Sequence, residues 1–181
     1  MKQRINLIAA PPAIQPGGYI RQAYADHIQP QTRLLDVSVE SRGAGWEIFL
    51  SWSCVEAVSK TASDVNLFCD AAALLAPATV DAPLMTMGSD AAGVDGWLWA
   101  ADREGCLRIQ AMGLGTVERT PPPPDVRVSA AWIDQRWGVK FELPDWASLS
   151  QRRQIGFAVW QGASAERAGL KSVSPAWIPI P

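Results

Sequence analysis

The chain has 181 residues, 48% of them hydrophobic and 19% charged, with a formal net charge of −2. A chain of that length and balance folds as a globular unit that buries about 70% of the surface its unfolded form exposes. No basic excess points to nucleic acid, and no apolar run reaches the length of about 18 residues that a membrane-spanning helix needs.

Residues 1–18 read as an irregular lead-in to a single domain covering 1–181, because Pro11, Pro12, Pro16, Gly17 and Gly18 break both helix and strand. Lys2 and Arg4 precede only a short apolar stretch, so no secretory signal is read there, and the chain as written reads as cytoplasmic. Tyr19 to Ala25 suits a short strand or a helical turn. Leu34 to Glu40 alternates as a strand, and Arg42 to Gly45 as a turn. Trp46 to Cys54 is a clear strand, with Trp46, Ile48, Leu50, Trp52 and Cys54 on one face. Val65 to Cys69 reads as another. The alanine-rich, proline-interrupted run Ala71 to Pro83 reads as a connector. Gly96 to Ala101 is a strand, and residues 113–124 hold a Gly-Leu-Gly-Thr turn and four prolines that no sheet interior accepts. Val126 to Trp132 and Trp137 to Leu143 form a hairpin, the second strand placing Trp137, Val139, Phe141 and Leu143 on one face. Asp145 to Arg153 fits one helical turn before a last apolar strand, Ile155 to Trp160. Many short strands with little helical periodicity predict an all-β sandwich, immunoglobulin-like or carbohydrate-binding-module-like, with long loops.

The residue inventory excludes several chemistries. His27 is the only histidine, which removes a bis-histidine haem and disfavours a histidine-based zinc site. Cys54, Cys69 and Cys106 match no zinc spacing, and no C-x-x-C-H attaches a haem covalently. Nucleophile-elbow, P-loop and G-x-G-x-x-G patterns are absent. What remains are soft or neutral donors in loops: Met85, Met87, Met112 and Lys171. Met87-Gly88 precedes the strand of Trp97 and Trp99, whose rings could flank something planar. Lys171 follows a small-residue loop, where it is either a solvated lysine or a ligand aimed into a pocket. Nine tryptophans suit a thick aromatic core or the walls of a flat ligand's site.

Several segments taken together resemble a known family. They are Met87-Gly88, Val94 to Ala101, Gly113 to Thr116, Val126 to Trp132 with Asp134, and Trp137 to Phe141. The C-terminal block Ile155 to Gly162, Glu166-Arg167, Gly169, Lys171 to Ser174 and Trp177 is the most specific part. Over about residues 34–179 the chain resembles the haem b-binding gamma subunits of the dimethyl sulfide dehydrogenase, ethylbenzene dehydrogenase and chlorate/selenate reductase group of molybdenum enzymes. The resemblance implies a β-sandwich holding one non-covalent haem b, with Met87 and Lys171 as axial ligands and Trp97 and Trp99 in the cofactor site. Met85, two residues before Met87, is the other methionine that the ligand position could occupy. The resemblance also implies a non-catalytic electron-transfer role beside a molybdenum-cofactor catalytic subunit and an iron–sulfur subunit. Members of that family work in the periplasm, the alternative to the cytoplasmic reading. Two rival functions suit the same residues: a sugar- or small-ligand-binding sandwich module, and a stand-alone haem carrier or sensor.

Overall fold

The computed structural model describes residues 1–60 and 68–181, with 19 and 20 described for their backbone alone. In chain order the strands are β1 (Lys2–Asn6), β2 (Ile8–Ala9), β3 (Leu34–Arg42), β4 (Gly45–Ser53), β5 (Ala71–Pro77), β6 (Val94–Ala100) and β7 (Leu107–Ala111). They continue as β8 (Glu118–Thr120), β9 (Arg127–Ile133), β10 (Arg136–Leu143), β11 (Gln154–Trp160), β12 (Ser172–Val173) and β13 (Ile178–Pro179). Two short helices, α1 (Gly18–Ala23) and α2 (Ala147–Arg152), join them. One sheet runs β1-β3-β4-β10-β9, and the other β2-β12-β11-β5-β6-β7-β8, with β13 pairing β11. All pairings are antiparallel, and the chain is an all-β sandwich. No described helix is long and apolar enough to cross a membrane.

The inter-sheet core follows from period-two alternation. Ile48, Leu50 and Trp52 of β4 and Val139 and Phe141 of β10 point inward in register, Phe141 opposite Ile48 and Val139 opposite Leu50. Lys140 and Glu142 fall on the other face and stay partly exposed. From the second sheet come Leu74, Trp97, Trp99 and Phe157. Trp99 packs edge-on against Trp137 at 5.0 Å and against Trp52 at 6.2 Å, while Trp97 meets Trp146 at 6.4 Å. The expected hairpin is present, with register Arg136 opposite Ile133. Asp134 and Gln135 turn it with φ of 49° and 57°, the two positive angles that a two-residue hairpin loop uses to match strand twist.

The structure corrects two expectations and adds two strands. Residues 1–18 are not an irregular lead-in: β1 pairs with β3 and β2 with β12, completing both sheets. Ala71 to Pro77 is a central strand rather than a connector, flanked by β6 and β11. Alanine's weak strand propensity is overridden there because both faces of β5 are buried, one against the core. β7 and β8 were not expected at all. The strand expected over Val65 to Cys69 falls mostly outside the described residues, and Phe68 and Cys69 carry no strand.

Asp70, fully buried, is the polar hub beneath these strands. Its carboxylate accepts from the backbone N–H of Val58 at 2.8 Å and of Gly162 at 2.8 Å, and from Trp137 Nε1 at 2.9 Å. The Cys54 thiol donates at 3.6 Å. Burial and the Asp70 charge hold that thiol unreactive, its pKa pushed up to about 12.

Candidate functional site

The second sheet is apolar on both faces. Its inner residues fill the sandwich, while Ala73 and Leu75 of β5, Leu98 and Ala100 of β6, Ile109 of β7 and Ala158 of β11 point outward. Several of these are alanines, and at Gly96 an added Cβ would lie 1.9 Å from the Leu74 carbonyl oxygen, so the strands sit close and the floor stays shallow. The loops after β5, β7 and β11 rise around this floor and enclose a cavity of about 430 Å³. That volume is in the range of small-molecule and cofactor sites.

Two donors face each other in it. Met87 lies in the turn after β5, with φ of 54°, and Gly88 follows at 92°. The turn is fixed by Met87 N–H to Leu84 C=O at 3.0 Å, Gly88 N–H to Pro83 C=O at 2.8 Å and Gly113 N–H to Met87 C=O at 3.0 Å. A Cβ at position 88 would meet the Ala92 carbonyl oxygen at 2.7 Å and the Ala111 carbonyl oxygen of β7 at 3.1 Å, so glycine lets this turn approach β7. Lys171 stands directly before β12, its carbonyl accepting from Ala10 N–H at 2.9 Å. Its amine donates to Met87 Sδ at 3.8 Å and lies 5.1 Å from the centre of the Trp160 ring. The side chain as a whole is partly exposed, yet its amine has no carboxylate partner among the described residues. Burial of the amine, helped by the positive charge of Arg119, lowers its pKa to about 8, so the neutral form with a free lone pair is accessible.

The other sequence-derived site residues fall elsewhere. Trp97 and Trp99 occupy the inner face of β6 and are buried in the inter-sheet core, not in the cavity wall. The alternation that exposes Leu98 and Ala100 to the cavity turns both tryptophans away from it. Met85 is partly buried against the outer-face cluster without lining the cavity, and Met112 is exposed, so Met87 is the methionine that the fold presents to Lys171. No group of three or more His, Cys, Asp or Glu residues among the described residues could hold a metal ion.

Sequence reading did not single out the polar part of the wall. Glu166, 7% exposed, accepts from Gln161 N–H at 2.8 Å and from the Ser172 hydroxyl at 3.3 Å, and so ties together both ends of the loop that carries Lys171. Burial pushes its pKa up to about 7. Arg119, Arg167 and Gln15 border the same cavity. Only the Glu166-Arg167 pair left a trace in the sequence, as charge inside a small-residue loop.

No family model matches the chain. It is 36% identical over 138 residues to the chlorate reductase subunit gamma of Ideonella dechloratans, covering 71% of this chain and 56% of that one. A Haloferax mediterranei protein provisionally named respiratory nitrate reductase heme subunit is 33% identical over 141 residues, 73% of this chain and 50% of that one. The dimethylsulfide dehydrogenase subunit gamma of Rhodovulum sulfidophilum is 28% identical over 188 aligned positions, 97% of this chain and 68% of that one. The chain spans about half the length of the first two of these relatives. It is a homologue of these gamma and haem subunits, the group that its sequence resembles.

Proposed function

We propose that the chain is an electron-transfer protein that binds one non-covalent haem b between Met87 and Lys171. We further propose that it serves as the small subunit of a molybdenum-dependent oxidoreductase, beside a molybdenum-cofactor catalytic subunit and an iron–sulfur subunit. The observation that carries this reading is the meeting of one amine and one thioether, 3.8 Å apart, in an apolar cavity with no competing carboxylate on the amine. The names of the relatives, subunits of reductases and a dehydrogenase with one called a heme subunit, support the same reading.

The donor set fits the group. Met87 and Lys171 would hold the iron, and both are long, rotatable side chains that could open from their present 3.8 Å contact to admit it. The floor of Ala73, Leu75, Leu98 and Ala158 offers a flat apolar surface, as a porphyrin face requires. With Met87 and Lys171 both holding the iron, bound haem would supply one-electron exchange and would leave no open position for a substrate. Lys171 must lose its proton to ligate, and burial lowers the cost of that step. Met87 contributes a soft, neutral sulfur, which favours the reduced state, as in cytochromes c.

The test is extraction. Protein from haem-replete cells is expected to give up its pigment to acidic acetone and to yield a b-type spectrum in alkaline pyridine. Pigment that stays on the chain with a c-type spectrum, or a colourless protein, would contradict the reading.

A further inference from the structure

The wall of the cavity is unbalanced in charge. Lys171, Arg119 and Arg167 line it, against the single acid Glu166. Arg119 stands opposite Ile109 across β7 and β8, so it shares the face of the sheet that floors the cavity. It makes no ion pair with any described residue. Arg167 stacks its guanidinium 4.6 Å over the Phe68 ring and donates to the Tyr24 hydroxyl at 3.2 Å, which leaves most of its donors unused. Both arginines are exposed, and they border the mouth from opposite sides, one on β8 and one on the loop after β11. The same cavity is lined by Gln15, 5% exposed, whose side-chain amide makes no hydrogen bond to any described residue. Its Oε1 would lie 2.3 Å from a Cβ at position 169, so Gly169 keeps the space in which that amide sits.

A cavity with an apolar floor, two guanidinium groups at its mouth that make no ion pair with any described residue, and the amide of a buried glutamine without a hydrogen bond to any described residue suits a ligand that is apolar in its body and acidic at its solvent end. Resting on the haem reading above, we propose that Arg119 and Arg167, assisted by Gln15, form an anion-binding mouth that holds the two carboxylates of the haem. Arginine suits this task because its planar fork pairs with a carboxylate through two N–H donors and keeps its charge at any physiological pH.

The experiment titrates the metal-free chain with haem and with haem dimethyl ester, in which both carboxylates are blocked while iron and ring are unchanged. Axial ligation is common to both pigments, so their ratio of affinities reports the carboxylate contacts alone. The native chain is expected to bind haem about 10-fold to 100-fold more tightly than the ester, the range that one or two charge-assisted hydrogen bonds supply. The double variant Arg119→Gln/Arg167→Gln should lose the preference for haem, any change that loss of the Arg119 charge brings to Lys171 being common to both pigments, and Gln15→Leu should reduce the preference. An unchanged Soret position in the variants would show that the axial ligands stay in place. Equal affinity of the native chain for the two pigments, or a preference that survives the double substitution, would overturn the proposal while leaving haem binding intact. Binding of neither pigment would sink the haem reading itself, and this inference with it.

Discussion

Glu166 shows at the scale of one residue how the candidate site is held. Its carboxyl is buried, pairs with no described cation, and spans the loop from Gln161 to Ser172. Because its folded pKa is raised to about 7 from the ordinary 4.5, the folded state holds that proton more tightly than the unfolded one. Its contribution to stability is therefore fully present below about pH 4.5, falls as pH rises, and is lost above about pH 7. At about 1.4 kcal/mol per pKa unit the change is on the order of 3 kcal/mol. Urea unfolding of the haem-free protein should show stability falling between pH 5 and 7.5. Glu166→Gln, which can accept from Gln161 N–H through its carbonyl and donate to the Ser172 hydroxyl through its amide, should flatten that slope, and an unchanged slope would assign it to another group. The lowered pKa of Lys171 acts in the opposite sense, stability rising from about pH 8 to the ordinary value of 10.5, outside that window.

At the scale of the element, β5 and β6 divide their side chains between two tasks. Odd positions of β5 floor the cavity and even ones fill the sandwich, whereas β6 sends Trp97 and Trp99 inward and Leu98 and Ala100 outward. This is also where sequence reading failed. A strand buried on both faces has no polar alternation to read, so Ala71 to Pro77 looked like a connector. The tryptophans, the largest flat side chains available, looked like ligand walls. Strands with one wet face, such as β4 and β10, were legible to within one residue at their ends. Ala158→Leu should fill the cavity from its floor, abolish pigment binding and leave the fold intact by circular dichroism; undiminished binding would place the ligand elsewhere. Phe141→Ala, at a fully buried position of β10, should cost about 3–5 kcal/mol in urea unfolding. A loss under about 1 kcal/mol would contradict the packing described.

Across the whole molecule, a sandwich with one sheet apolar on both faces brings together parts far apart in sequence. Met87 and Lys171, 84 positions apart, meet because β5 and β11 are antiparallel neighbours whose following loops leave opposite ends of the pair and fold over the same outer face. Asp70 locks that arrangement by tying Gly162, where the Lys171 loop begins, to Val58 and Trp137. Asp70→Ala would leave three buried donors unpaired and should destabilise the chain by about 3 kcal/mol or more; a change below about 1 kcal/mol would show that water replaces the carboxylate. Met87 and Lys171 were reachable from sequence only through resemblance, since a methionine before glycine and a lysine in a loop have ordinary explanations. The polar mouth was out of reach, because Gln15, Arg119 and Arg167 come together only through the pairing of β7 with β8 and the folding of the N-terminal segment. The central claim is that Met87 and Lys171 take both axial positions, and carbon monoxide tests it most directly. The reduced, haem-loaded native protein should show a six-coordinate low-spin spectrum that carbon monoxide leaves unchanged. Lys171→Ala and Met87→Ala should each bind carbon monoxide readily, Lys171→Arg should behave as Lys171→Ala because guanidinium offers no free lone pair, and Met85→Ala should match the native protein. If the Lys171 and Met87 variants keep the native spectrum and its resistance to carbon monoxide, the axial assignment is wrong.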